Sequence, residues 1–121
     1  MPYFFAHGDL RKGGRNATMM ADSECVGAAE TDEAFALFAV GKQVVMTRRP
    51  STKIKGDVYS VAEDKLTMLD HFEGHPRITK RETVKVRLED GKVVEAWAYF
   101  NIQPLHSSVL IESGDFMNRQ A

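Results

Sequence analysis

The sequence predicts an α+β chain, a small, mainly antiparallel β-barrel with flanking short helices. Three observations carry that expectation. About six short runs of β-type residues are spread along the chain, one stretch alone has a clear helical period, and an Asp90-Gly91 turn separates two alternating segments. A length of 121 residues with 43% hydrophobic and 27% charged content fits one globular domain, residues 1–121, with room for a single core and one small cavity.

Taken in order, Pro2 to Ala6 is an aromatic run suited to a buried strand. His7-Gly8-Asp9 ends it in a loop, where Gly8 permits backbone conformations closed to other residues. Ala17 to Asp22 predicts a short helix capped near Asn16. Val26 to Ala29 and Ala34 to Ala39 are apolar; the second is ambiguous by period, and Gly41 followed by Val44 to Met46 favours a hairpin. Arg48 to Lys55, polar and basic around Pro50, predicts an exposed loop, and Gly56 to Val61 a strand. From Ala62 to Phe72 the period changes. Leu66, Leu69 and Phe72 recur every third residue, Glu63 and Asp64 in the first turn suit the helix dipole, and Gly74 with Pro76 stops the helix. Thr83 to Leu88 and Val93 to Phe100 alternate on either side of Asp90-Gly91 and predict an antiparallel hairpin. The tail holds Val109 to Ile111, a Ser113-Gly114-Asp115 turn and a polar end.

Charge and composition exclude several classes of partner. A formal net charge of -1 offers no basic field to a phosphate backbone, so no nucleic acid is expected. No apolar run is long enough to span a bilayer, and Met1 to Phe5 is too short for a signal peptide, running directly into His7, Asp9 and Arg11. Cys25 is the single cysteine; it cannot form an internal disulfide and suits a reducing cytoplasm.

Glu73 is the first candidate for chemistry. It lies between an apolar anchor, Phe72 with Leu66 and Leu69 behind it, and the helix-breaking Gly74-His75-Pro76. A solvated charge is the ordinary fate of such a residue, but packing on both sides of a helix end can also hold a carboxylate partly out of water and aim it into a cavity, as a general acid/base requires. His71, Glu73 and His75 share a spacing but not a face, because the chain breaks at Gly74 to Pro76, and no metal is expected. A zinc-deaminase reading needs a later Pro-Cys-x-x-Cys, which a chain with one cysteine lacks. Gly13 and Gly14 lack phosphate-loop spacing, and Cys25 reads as buried filler. Trp97, Tyr99 and Phe100 read as core, with one edge of their strand lining a pocket.

Five segments resemble, in order, the motifs of the gamma-glutamyl cyclotransferase-like family. They are His7-Gly8-Asp9-Leu10 followed by Gly13 and Asn16; Gly56-Asp57-Val58-Tyr59; Leu69 to Gly74, with Arg81 after it; Ala96-Trp97-Ala98-Tyr99; and Ser113-Gly114-Asp115-Phe116. The resemblance implies a compact barrel whose opening-loop amides hold a substrate carboxylate and whose glutamate moves protons. The implied reaction is intramolecular: the α-amine of a γ-glutamyl group attacks its own γ-carbonyl, giving 5-oxoproline and releasing an amine or amino acid. On this reading Glu73 is catalytic, and His7, Gly8, Asp9, Leu10 and Tyr99 bind a small-molecule substrate. No cofactor is needed, since nucleophile and electrophile share one molecule. A monomer or weak homodimer is expected.

The chain departs from the family at two loop positions. His7 stands where the family has Tyr, and Asp9 where it has Ser or Thr. A carboxylate at Asp9 repels an anionic ligand unless it turns outward, pairs with a base such as Arg11, or recognises a cationic group. A ligand-binding protein on the same scaffold, without turnover, is the alternative the altered loop permits.

Overall fold

Strand pairing dominates the computed structural model, which describes residues 1–118; the polar end, 119–121, lies outside the described residues. The strands are β1 (Tyr3–Ala6), β2 (Glu24–Val40), β3 (Gln43–Ser60), β4 (Thr79–Leu88), β5 (Val93–Asn101) and β6 (Val109–Leu110), and the helix α1 (Glu63–Glu73) joins β3 to β4. Their order in the sheet is β3-β1-β5-β4-β2-β6. Pairing of β2 with β3 closes the first five into a barrel, and β6 adds to β2 at Phe38↔Leu110. All pairs are antiparallel except β1 with β5, which meet in parallel at Phe4↔Trp97.

The alternation of side chains along β1 separates two hydrophobic clusters. Phe5 joins Leu37, Met46, Ile54, Val58, Val86 and Phe100 in the larger cluster. Phe4 and Ala6 point the other way and pack with Leu10, Met20, Tyr59, Val61, Tyr99 and the buried face of α1, Leu66 and Leu69. The helix is therefore held on the outside of the barrel wall by Leu66 and Leu69, whereas Phe72, expected from the same period to anchor it, is 48% exposed.

Two local expectations are corrected. Arg48 to Lys55 is not a loop: it is part of β3, and Thr52, Lys53 and Lys55 pair with Phe35, Ala34 and Glu30 of β2. The register jumps between Phe35↔Thr52 and Ala36↔Thr47, so Arg48 to Ser51, Pro50 included, bulge out as exposed extended chain and are the polar part. Ala17 to Asp22 forms only a 3-10 turn over Ala17–Met20, and the Asn16 side chain makes no capping bond. Gly8 does not have positive φ, and a Cβ there would sit at ordinary contact from Val44, 3.4 Å from its carbonyl oxygen. None of the described helices is long and apolar enough to cross a membrane.

Candidate active site

The loop after β1 is closed by its own backbone. Arg11 N–H donates to the Gly8 carbonyl (2.9 Å), Gly14 N–H to Arg11 (2.8 Å) and Asn16 N–H to Asp9 (2.9 Å), while Lys12 N–H donates to the Asp57 carboxylate on β3 (2.9 Å). None of these closing bonds is donated by Gly8, Asp9 or Leu10, so the loop presents three N–H groups that its own turns do not consume. Gly14 is required for close approach, since a Cβ there would fall 2.4 Å from the Asp9 carbonyl oxygen. Arg11 fastens the loop from behind, with Nη1 2.7 Å from Asp115 Oδ1 and Nε 3.6 Å from Asp57 Oδ2. It is therefore not the partner of Asp9. That partner is Arg15, whose Nη2 lies 3.3 Å from Asp9 Oδ2.

Glu73 is the last residue of α1. The helix stops because Gly74 takes a left-handed conformation, φ 73°, and its N–H returns to the carbonyls of Asp70 and His71. The hydroxyl of Thr79, at the start of β4, donates to the Glu73 carbonyl at 3.0 Å, which pins the backbone and leaves the carboxyl free. His75 cannot join Glu73 in a ligand set, because its Nδ1 accepts the Arg81 N–H at 3.0 Å. Among the described residues no group of three His, Cys, Asp or Glu is placed to hold a metal ion.

One cavity of about 390 Å³ brings the two pieces together. His7, Gly8, Asp9, Leu10, Glu73 and Tyr99, all named from the sequence, line it. As parts of this wall, sequence reasoning missed Arg15 of the opening loop and Gln43, Phe72, Ile78, Thr79 and Asn101, which lie at or beside the ends of β3, α1, β4 and β5. Tyr99 is both core and wall: its ring packs edge-on to Phe4, with centroids 5.8 Å apart, and its hydroxyl donates to Asp70 Oδ1 at 2.7 Å. Asp70 in turn receives Arg81 through Nε (2.8 Å) and Nη2 (3.2 Å), and the Arg81 guanidinium stacks 4.4 Å from the Trp97 ring centre. This network ties the last turn of α1 to β4 and β5 directly behind Glu73. A hint of it lay in the sequence, where Asp70 and Glu73 are one turn apart on the helix.

The electrostatics divide the acids into two kinds. Burial, and after it the charge of Asp9, raises the Glu73 pKa to about 7. Asp70 goes the other way: burial works to raise it, but the hydrogen bonds from Tyr99 and Arg81, with the charges of Arg81 and His75, outweigh that and hold it below the ordinary carboxylate value. Burial, helped by the Arg11 charge, lowers His7 to about 4, so its imidazole is neutral at pH 7. Its Nδ1 is buried without a hydrogen-bond partner among the described residues. Asp70 is thus a fixed anion behind the cavity, while the cavity itself is lined by the Asp9 carboxylate tied to Arg15 and by Glu73, whose pKa is raised to about 7.

The sequence pattern of the family described as gamma-glutamyl cyclotransferase, AIG2-like, matches residues 4–118. The chain belongs to this family. A protein of Methanocaldococcus jannaschii, provisionally named a gamma-glutamylcyclotransferase, is 37% identical over 117 residues, covering 96% of each chain. A protein of Vibrio cholerae with the same provisional name is 30% identical over 115 residues, covering 95% of each. Among solved structures, the AIG2-like protein of Mus musculus superposes with a TM-score of 0.78 at 26% identity, over 90% of this chain and 88% of its own. For a gamma-glutamyl cyclotransferase-like chain, the two loop departures now have positions. His7 and Asp9 both face the cavity, and the Asp9 carboxylate is tied to Arg15 at its border, 15% exposed against 48% for Arg15.

Proposed function

We propose that the protein is a cofactor-independent cyclotransferase acting on a γ-glutamyl amide, with Glu73 as the general acid/base. The observation that carries this reading is the meeting, in one cavity, of a carboxyl that exchanges its proton near pH 7 with loop residues whose N–H groups are not consumed by the loop. In the first step the ionised Glu73 takes a proton from the substrate α-ammonium, and the freed amine attacks the γ-carbonyl carbon, forming the ring C–N bond. The tetrahedral adduct then collapses. Its exocyclic C–N bond breaks as Glu73 returns its proton to the departing nitrogen, the ionised Glu73 then takes the extra proton of the ring nitrogen and passes it to the freed amine, and 5-oxoproline and a protonated amine or amino acid leave.

The N–H groups of Gly8, Asp9 and Leu10 hold the substrate carboxylate, and Tyr99, locked by Asp70, forms a fixed wall against which the chain of the substrate folds toward the ring-closing pose. Such a reaction needs positioning and one proton carrier, and the cavity supplies both. A reducing cytoplasm suits the free thiol of Cys25.

The test is release of 5-oxoproline from a panel of γ-glutamyl amines and γ-glutamyl amino acids, by wild type and by Glu73→Gln. Turnover is expected to fall on the order of 10²-fold or more in the variant; equal turnover removes Glu73 from the mechanism. A panel compound that raises the melting temperature but is never consumed would make the protein a binder on the same scaffold.

A further inference from the structure

The imidazole of His7 takes no part in the proton transfers of Glu73, yet it lines the same cavity. It follows β1 directly, so its backbone is held at the end of a barrel strand whose last antiparallel pair is Ala6↔Asp57. The side chain makes no hydrogen bond to any described residue, and its two nitrogens differ. Nδ1 is sealed from solvent; Nε2 is not, and with the ring on the cavity wall it is the nitrogen open to an occupant. Among the described residues Arg11 Nε is the other buried side-chain nitrogen without a partner, and the Arg11 charge is felt at the ring. A sealed N–H with no acceptor is a rarer orphan than a lone pair, and a nearby cation favours the lone pair further. The proton of the neutral ring therefore sits on Nε2.

Ring closure calls for such a donor. When the amine attacks, an electron pair of the γ-carbonyl moves onto its oxygen, and the negative charge stays there until the exocyclic C–N bond breaks. The N–H groups of Gly8, Asp9 and Leu10 are engaged by the substrate carboxylate. Several other donors around the cavity are spent: the Thr79 hydroxyl on the Glu73 carbonyl at 3.0 Å, the Tyr99 hydroxyl on Asp70 at 2.7 Å, and Asn101 Nδ2 on the Gln103 carbonyl at 2.7 Å. Arg15, Gln43 and His71 are exposed to water, where a hydrogen bond to an anion is worth less. Resting on the cyclotransferase reading, we propose that neutral His7 donates its Nε2–H to the oxyanion of the tetrahedral adduct, which makes it a second catalytic residue of this cavity. The imidazole keeps its proton throughout, and the proton traffic stays with Glu73. Burial and Arg11 hold the ring neutral across the range in which Glu73 exchanges its proton, so it brings no positive charge to trap the substrate carboxylate or to pair with ionised Glu73. The rival donor is the amide of Asn16, which lines the cavity from the far side of the loop.

The experiment uses the γ-glutamyl amide that wild type consumes fastest. His7→Phe removes the donor and keeps a ring. Its kcat should fall on the order of 10²-fold while KM moves by no more than about twofold, because the oxyanion exists only beyond the ground state. The rise of kcat/KM with pH should stay where wild type has it, and His7→Gln, which carries an N–H donor to the same place, should recover most of the loss. Nitrogen NMR of the wild-type ring near neutral pH should show Nε2 protonated and Nδ1 bare, a result that does not depend on how any variant folds. Wild-type kcat in His7→Phe, a loss that His7→Gln fails to recover, a kcat loss found in Asn16→Ala instead, or an Nδ1–H ring each overturns the assignment of His7 and leaves Glu73 its role. If wild type consumes no amide of the panel, the cyclotransferase reading fails, and the oxyanion assigned to His7 fails with it.

Discussion

A carboxyl that exchanges its proton near neutrality can both remove a proton from an amine and return one, and Glu73 owes that property to its surroundings. In the proposed mechanism ionised Glu73 is the form that accepts the first proton, so kcat/KM should rise through about pH 7. Asp9→Asn removes the neighbouring negative charge and should move that rise to lower pH, by on the order of one unit or less; a pH-rate profile of the two proteins checks it. The same shift has a stability consequence. The folded-state pKa of about 7 lies above the ordinary value of 4.5, so the proton is held longer in the folded chain, and the associated stability is complete below about pH 4.5 and lost as pH rises through about 7. Glu73→Gln has no such loss. Relative to wild type it should gain about 1–3 kcal/mol between pH 4.5 and pH 8, a figure reduced for the part of the side chain that stays wet, measured by urea unfolding at the two pH values. At this scale the sequence named Glu73 and the opening loop, which line one cavity. It could not show that Arg15 rather than Arg11 pairs with Asp9, because both are bases within a few residues and only the fold of the loop sends Arg11 back toward Asp57 and Asp115.

At the scale of elements, the place of Glu73 depends on how α1 ends. Gly74 holds φ 73°, and a Cβ there would lie 2.9 Å from Ile78 Cδ1. Gly74→Ala should therefore cost about 1–2 kcal/mol or more in chemical unfolding and lower turnover together, since strain at the stop is passed to the residue before it. The helix was legible because its period, its acidic first turn and its Gly-x-Pro stop agree, and the β4–β5 hairpin because alternation brackets Asp90-Gly91. The length of β3 was not. Basic residues around Pro50 suggest a loop, and here they occupy an outward bulge in a strand that continues on both sides of it, with Arg48 stacked 4.2 Å from the Phe100 ring centre. Pairing across the barrel fixes that strand, and a partner more than ten residues away leaves no local trace. The cavity walls escaped for a similar reason, since Gln43, Thr79 and Asn101 are ordinary polar residues until strand ends bring them together.

For the whole molecule, one side chain binds the beginning, middle and end of the polypeptide. Arg11 reaches Asp57 on β3 and Asp115 beyond β6, and the Asp57 side chain is only 8% exposed. Arg11→Met leaves that acid buried with the Lys12 N–H as its remaining bond, and should cost roughly 3 kcal/mol in unfolding free energy. It should also raise KM more than it lowers kcat, because the loop loses its backing while Glu73 keeps its place; steady-state kinetics on any accepted amide read the difference.

The separation of the two hydrophobic clusters has a consequence for how such a protein can change. The barrel interior is filled by Phe5, Leu37, Ile54, Val58 and their neighbours, whereas the hollow with Glu73 lies against the other cluster and is walled by strand ends and turns. Tolerance and novelty are thereby assigned to different places: wall residues that belong to neither cluster, such as Gln43 and Asn101, can be exchanged without reopening the packed lumen. A lineage can retune which molecule it accepts while its folding stays nearly constant.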